Sequence, residues 1–471
     1  MKRIHFALFL FSLSILSFNC QKEYSTTNFG TNNTGNNLPA PITAILQGNL
    51  LDENGQPAPG VQVTAGTKTA ITNEMGYFRI INAALDKNAS LVAAEKPGYF
   101  KAYRTFNATS GVNQVVIKLI KKTLAGTVDG NSGGEITLSN GAKITLPAKG
   151  TVNAANGAPY TGSVDVYSSY IDPTAADIDQ TIPGSFMAND KNNKRVSLVS
   201  FGMMAVVLES ASGEKLQIAK DKSAKLTIPI PSSKQSSAPS IISLWYVDEQ
   251  TGLWKEEGTA TKSGTSYVGD VKHFSFWNAD FSNPSITVSM TLLSPQGMPL
   301  INANAQITGT SGGHACAVTD SLGQLSGLVP ANENLILKII DQCRVTVDSF
   351  NIGPFTQNTN LGNVNIGNAT SSVVTVKGKL LNCNNQPVAN GYAIIIFQNI
   401  HAYATADING DFLSTFVTCV QNTTSCDIVG VDESSQQQGA VINTTIAYPV
   451  TNARNISACG IFLFLGFGIH T

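Results

Sequence analysis

Short apolar runs separated by polar turns recur along most of the chain, and three of these units are related. Gly48-Asn49-Leu50-Leu51-Asp52-Glu53-Asn54-Gly55-Gln56-Pro57 returns as Met290 to Pro299 and again as Gly378 to Pro387. Each copy reads as a strand ending in a Gly/Asn turn, with Pro opening the next segment. A second strand follows in each: Val61-Gln62-Val63-Thr64, Ala305-Gln306-Ile307-Thr308, and Ala393 to Phe397. Alternation of period two places such residues on the two faces of a sheet. Further on, Asn73, Asp320 and Asp407 each stand three residues before a Gly (Gly76, Gly323, Gly410), with Phe78, Leu325 or Phe412 two beyond it. That spacing predicts a tight hairpin whose outgoing strand returns to the core.

Between the first two copies lies a longer segment with a different pattern. All three tryptophans fall within Trp245–Asp280. Leu244-Trp245-Tyr246-Val247 and Leu253-Trp254 flank Asp248-Glu249-Gln250-Thr251-Gly252, which predicts a hairpin with Gly252 at the positive-φ position. The prediction is an all-β chain: tandem β-sandwich domains at 42–120, 285–368 and 372–471, with a larger central β module at 124–283. A length of 471 residues suits about three domains. The 42% hydrophobic and 13% charged residues, with 41 Gly, suit strands and polar turns better than helical bundles.

The repeated pattern resembles the carboxypeptidase regulatory-like family, a transthyretin-like seven-stranded β-sandwich common in Bacteroidetes surface proteins. The resemblance covers residues 44–119, 286–368 and 373–471. It implies an accessory, non-catalytic domain of a peptidase, transporter or surface array. The central segment carries Gly133-Gly134-Glu135-Ile136, Tyr160-Thr161-Gly162, Ser200-Phe201-Gly202-Met203-Met204, Ile228-Pro229-Ile230-Pro231 and His273-Phe274-Ser275-Phe276-Trp277-Asn278. With the tryptophan hairpin, these are similar to the extracellular β module of cartilage intermediate layer proteins, and more distantly to that of ankyrins and netrin receptors. That likeness implies binding or scaffolding.

Met1-Lys2-Arg3 followed by the apolar run to Phe18 reads as a signal peptide over 1–19. Leu16-Ser17-Phe18-Asn19-Cys20 resembles a lipoprotein cleavage box, loosened as in Bacteroidetes. Cys20 is thus expected to be acylated and held in a lipid bilayer, with 20–41 as a polar tether. The expected address is the outer membrane, facing the periplasm or the cell surface. The other six cysteines suggest disulfides in an exported chain: Cys316 with Cys343, and the remaining four by preference as Cys419–Cys426 and Cys383–Cys459, a connectivity that the sequence leaves open. The net charge of −1, with no long basic run beyond the N-terminus, argues against a nucleic-acid partner.

Candidate chemistry is sparse, and neither a cofactor nor a metal is expected. Gly309-Thr310-Ser311-Gly312-Gly313-His314 contains a Gly-x-Ser-x-Gly string, but on a strand-to-strand loop and without the strand-to-helix turn a nucleophile elbow needs. Asp407-Ile408-Asn409-Gly410-Asp411 resembles half a calcium loop. Trp245, Tyr246, Trp254, His273 and Trp277 form a candidate ligand platform. Because neighbouring strand residues face opposite sides, Trp245 and Tyr246 cannot both be buried by one sheet face. Asp172 to Gly184 reads as a long loop where variable function could sit. Two readings follow. The first is a non-enzymatic envelope lipoprotein presenting a string of β-sandwiches for adhesion, scaffolding or association with another envelope protein. The alternative is a glycan-binding lipoprotein of a polysaccharide-uptake system.

Overall fold

The three related units fold by one rule, seen in a computed structural model that describes residues 38–341, 344–367, 373–389, 391–397, 400–418 and 425–462. In the first, Pro41–Leu51 pairs antiparallel with Tyr77–Asp86 and parallel with Asn113–Lys118. In the second, the far half of Phe276–Leu293 pairs in the same two senses with Gln324–Pro330 and Thr359–Asn365. In the third, Val373–Leu381 does so with Asp411–Val417 and Val450–Ser457. A second sheet, built around Gln62–Ala65, Asn304–Gly309 or Tyr392–Phe397, completes each unit. In the first unit, Leu46, Leu50 and Ile80 from one sheet close on Val63, Val92 and Ala94 from the other. Facing sheets bury their inner alternate residues in this way.

The turns explain why the sequence repeats. Asn73 Oδ1 accepts from the N–H groups of Met75 and Tyr77, both at 3.0 Å. Asp320 Oδ1 accepts from Leu322 and Gln324 at 2.8 Å, and Asp407 Oδ1 from Asn409 at 2.8 Å and Asp411 at 2.9 Å. A short side-chain acceptor that closes its own turn in this way is the reason for Asn or Asp there. Gly76, Gly323 and Gly410 adopt φ of 66°, 74° and 77°. A Cβ at Gly76 would also lie 2.3 Å from the Leu50 carbonyl oxygen.

The central module is a broad sheet with a spine of two long strands, Arg195–Ser210 and Phe276–Leu293. Arg195–Ser210 is buried almost throughout because both of its faces are covered. Val199, Phe201, Met204 and Val206 enter the module's own core. Leu198, Met203 and Ala205 pack with Phe100 and Tyr103 of the first unit. A register shift between Ser200 and Met203 keeps the two sets on their faces. The 18-residue strand Phe276–Leu293 serves the central module with its first half and the next sandwich with its second. The boundary expected near 284 therefore falls inside an unbroken strand.

Modules distant in sequence also touch one another. Counting the central sheet as the second module, so that the second and third related units become the third and fourth modules, the fourth meets the first through Tyr77, Tyr392, Ile394, Tyr403, Val429 and Val431, all buried together. Arg79 forms an ion pair with Glu433 at 3.2 Å and donates to Gln47 Oε1 at 2.6 Å. The third module meets the first where Asp320 Oδ2 accepts from Thr109 Oγ1 at 2.7 Å. It meets the fourth where the Ile301 N–H donates to Thr415 O at 2.8 Å.

Cysteine pairing needs a correction. Cys383 and Cys459 are joined, with Cα atoms 5.0 Å apart, tying the first turn of the fourth module to the link that follows the strand Val450–Ser457. Cys316 and Cys426 carry free thiols. Cys316 lies mid-strand opposite Gln306 and lines the junction between modules, and Cys426 is packed in the fourth-module core. The partners expected for them, Cys343 and Cys419, lie outside the described residues, as does Cys20.

Candidate functional site

The tryptophan hairpin forms as its sequence requires: the Gly252 N–H donates to Asp248 O at 2.7 Å, with Gly252 at φ 68°. Its aromatic rings do not form a platform. Trp245, Trp254 and Trp277 are each 0% exposed. Their indole N–H groups donate to main-chain oxygens: Trp245 to Asp280 at 3.0 Å, Trp254 to Ser185 at 2.7 Å and Trp277 to His273 at 2.9 Å. Trp245 and Trp254 face the first module and Trp277 the opposite core. A buried indole needs an acceptor, and here each has one inside the protein. Tyr246, on the other face from Trp245, is half-buried and edge-on to His273 at 4.6 Å. Burial lowers the His273 pKa despite Glu257 at 3.8 Å. What remains open there is a shallow depression of Tyr246, Asp248, Gln250, Lys255 and His273, without an indole face.

The other candidates are also held by local bonds. Ser311 Oγ donates to Glu333 Oε1 at 2.7 Å and accepts from Asn283 Nδ2 at 2.8 Å, which closes the exposed loop. The Asp407 carboxylate caps its own turn. Among the described residues no group of three or more His, Cys, Asp or Glu side chains could hold a metal ion. No described helix is long and apolar enough to cross a membrane.

The Asp172–Gly184 segment is a wedge between modules. Ile178 and Ile182 are buried against the first and central modules. Asp177 accepts from Lys118 Nζ at 2.8 Å, and Asp179 is bound by Arg344. The Gly184 carbonyl accepts from the Thr105 N–H at 3.1 Å.

Beside this wedge lies a cavity of about 120 Å³, reached by the first, central and third modules. Its walls include Phe106, Val116, Phe186, Leu325 and Leu328, with Arg104, Asp179, His314 and Cys316 as its chemically distinctive members. Burial lowers the pKa of the Arg104 guanidinium, lowers that of His314 and pushes the Cys316 thiol up to about 12. Sequence reasoning passed over this site. Its one signal was a charge inside Ala102-Tyr103-Arg104-Thr105-Phe106, a strand otherwise fit for burial.

No protein-family model matches the chain. Over 155 residues it is 29% identical to cartilage intermediate layer protein 2 of Mus musculus, which spans 31% of this chain and 13% of that protein. The Homo sapiens protein of the same name is 28% identical over 127 residues, 26% of this chain and 10% of that one. The chain thus covers only about a tenth of the length of these curated relatives. Among solved structures, the shaft pilin SpaA from Lactobacillus rhamnosus GG is 12% identical, covering 40% of this chain and 100% of its own, at a TM-score of 0.19. A minor pilin from Streptococcus agalactiae is 9% identical, covering 37% and 96%, at a TM-score of 0.16. Scores this low carry no argument, and the all-β architecture rests on the chain's own sheets.

Proposed function

We propose that the chain is a non-enzymatic cell-envelope lipoprotein whose β modules present one fixed surface for adhesion, scaffolding or association with another envelope protein. The supporting observation is the way the modules are joined. A shared strand, a buried tyrosine cluster and side-chain bonds between first and third modules tie them together. Interfaces of that kind hold modules in fixed relation, which suits presentation of a surface. The residues that suggested catalysis or calcium, Ser311 and Asp407, are committed to closing their own loops. The weak likeness to cartilage intermediate layer protein 2 is in keeping with a binding or scaffolding role. The polysaccharide-uptake alternative loses its aromatic shelf, because the three indoles are buried.

Acylation at Cys20 provides the anchor in this reading, with the polar segment to residue 41 as the tether. Two measurements test it. Fractionation of cells expressing Cys20→Ala should move the protein from membranes to the soluble fraction; unchanged membrane retention overturns the anchor. Limited proteolysis of the purified full chain should leave 38–462 intact while the tether is cut. Early cleavage near 122 or 284, releasing separate sandwiches, overturns the fixed body.

A further inference from the structure

The cavity between the first, central and third modules contains a buried cation, Arg104, that forms no ion pair among the described residues; the nearby carboxylate, Asp179, is paired with Arg344 instead. Arg104 is 7% exposed. Its Nη1 donates to Gly184 O at 3.3 Å, while Nε and Nη2 have no acceptor among the described residues. A guanidinium removed from water with most of its donors unused is costly, and such an orphan group points to something missing beside it. His314 adds a second unsatisfied atom, Nε2, on a ring set edge-on to Phe186 at 5.9 Å.

The surroundings restrict what would satisfy Arg104. Phe106, Val116, Phe186, Leu325 and Leu328 make much of the wall apolar. The volume, about 120 Å³, approaches that of an engineered apolar cavity of ~150 Å³ that takes up benzene. We propose that this cavity binds a small organic monocarboxylate with a compact apolar body, its carboxylate on the Arg104 guanidinium and its body against Phe186 and Leu328. The planar fork of arginine matches a carboxylate in two parallel hydrogen bonds. A single positive charge outside any ion pair among the described residues, with Asp179 nearby, favours a monoanion over a phosphate dianion. The apolar walls favour a ligand with a hydrocarbon part over an inorganic ion.

Isothermal titration calorimetry on the full chain tests this with benzoate, phenylacetate and isovalerate, against benzyl alcohol and inorganic phosphate. At least one carboxylate should bind ten-fold or more tighter than benzyl alcohol, and Arg104→Gln should weaken that binding at least ten-fold. Gly327→Leu provides a control that leaves Arg104 alone. Gly327 lines the cavity, and a Cβ there meets nothing within 4 Å, so a leucine should fill the space and abolish binding while the fold persists. Absence of heat with all three carboxylates overturns the proposal. So does binding that survives Gly327→Leu, equal affinity for benzyl alcohol, or a preference for phosphate.

Discussion

The phenol rings of Tyr77 and Tyr403 stack 3.6 Å apart at an interplanar angle of 8°, joining the first and last described sandwiches across a buried surface. Their hydroxyls differ: Tyr77 donates to Gln47 Oε1 at 3.0 Å, whereas the Tyr403 hydroxyl, beside the Asn49 side chain, makes no close hydrogen bond among the described residues. Removing an unsatisfied buried hydroxyl costs little, and removing a ring leaves a cavity. Tyr403→Phe should therefore leave the melting temperature unchanged or slightly raised. Tyr403→Ala should destabilise by about 3–5 kcal/mol. Hydrogen exchange should then speed up at Tyr77–Asp86, across the interface from the mutation.

Asp280 is fully buried, and burial drives its pKa well above the ordinary carboxylate range in spite of Lys234. Oδ2 accepts from Asn278 Nδ2 at 2.5 Å, while Oδ1 makes no close hydrogen bond among the described residues, with Ser200 and the Phe201 N–H beside the carboxyl only partly offsetting its burial. The folded protein thus retains a proton here that the unfolded chain loses near pH 4. Stability from this group is complete below that pH and falls as pH rises toward the folded pKa. Asp280→Asn should flatten the alkaline decline and raise the melting temperature at pH 8 by roughly 2–4 °C per kcal/mol recovered. A melting curve series from pH 4 to 9 checks the slope.

Asp407 makes a turn in the same way as Asn73 and Asp320, so it has no need of calcium. Melting should be indifferent to millimolar calcium or to EDTA. Asp407→Ala should cost about 1 kcal/mol, the usual worth of such a hydrogen bond. Gly410→Ala should cost more, because φ is 77° and the new Cβ would lie 2.7 Å from the Leu380 carbonyl oxygen.

The three indoles should give blue-shifted emission that acrylamide barely quenches and that no sugar alters. Trp254→Ala should cost about 3–5 kcal/mol, read from denaturant unfolding. Quenching as strong as that of free tryptophan would overturn their burial.

What was legible in the sequence was local chemistry. The turns at Asn73, Asp320 and Asp407 and the hairpin at Gly252 could be read because each is closed by atoms within a few residues. The alternation of Trp245 and Tyr246 was likewise legible, since neighbouring residues on a strand face apart. What covers the far side of a strand is set by distant segments, and this hid the burial of Trp245 and Trp254 under the first module. The free thiols of Cys316 and Cys426 were missed for a related reason: an even count says nothing about where each side chain points. Arg104 was overlooked because its meaning depends on Gly184, Asp179 and His314, which only the fold brings to it.

The shared strand Phe276–Leu293 also has a mechanical consequence. A pull between the central and third modules would load hydrogen-bond ladders on both halves of one continuous ribbon. Such ladders must slip together in shear, whereas a flexible joint would simply extend. The junction near residue 284 should therefore behave as a splice, transmitting tension through the β ribbon.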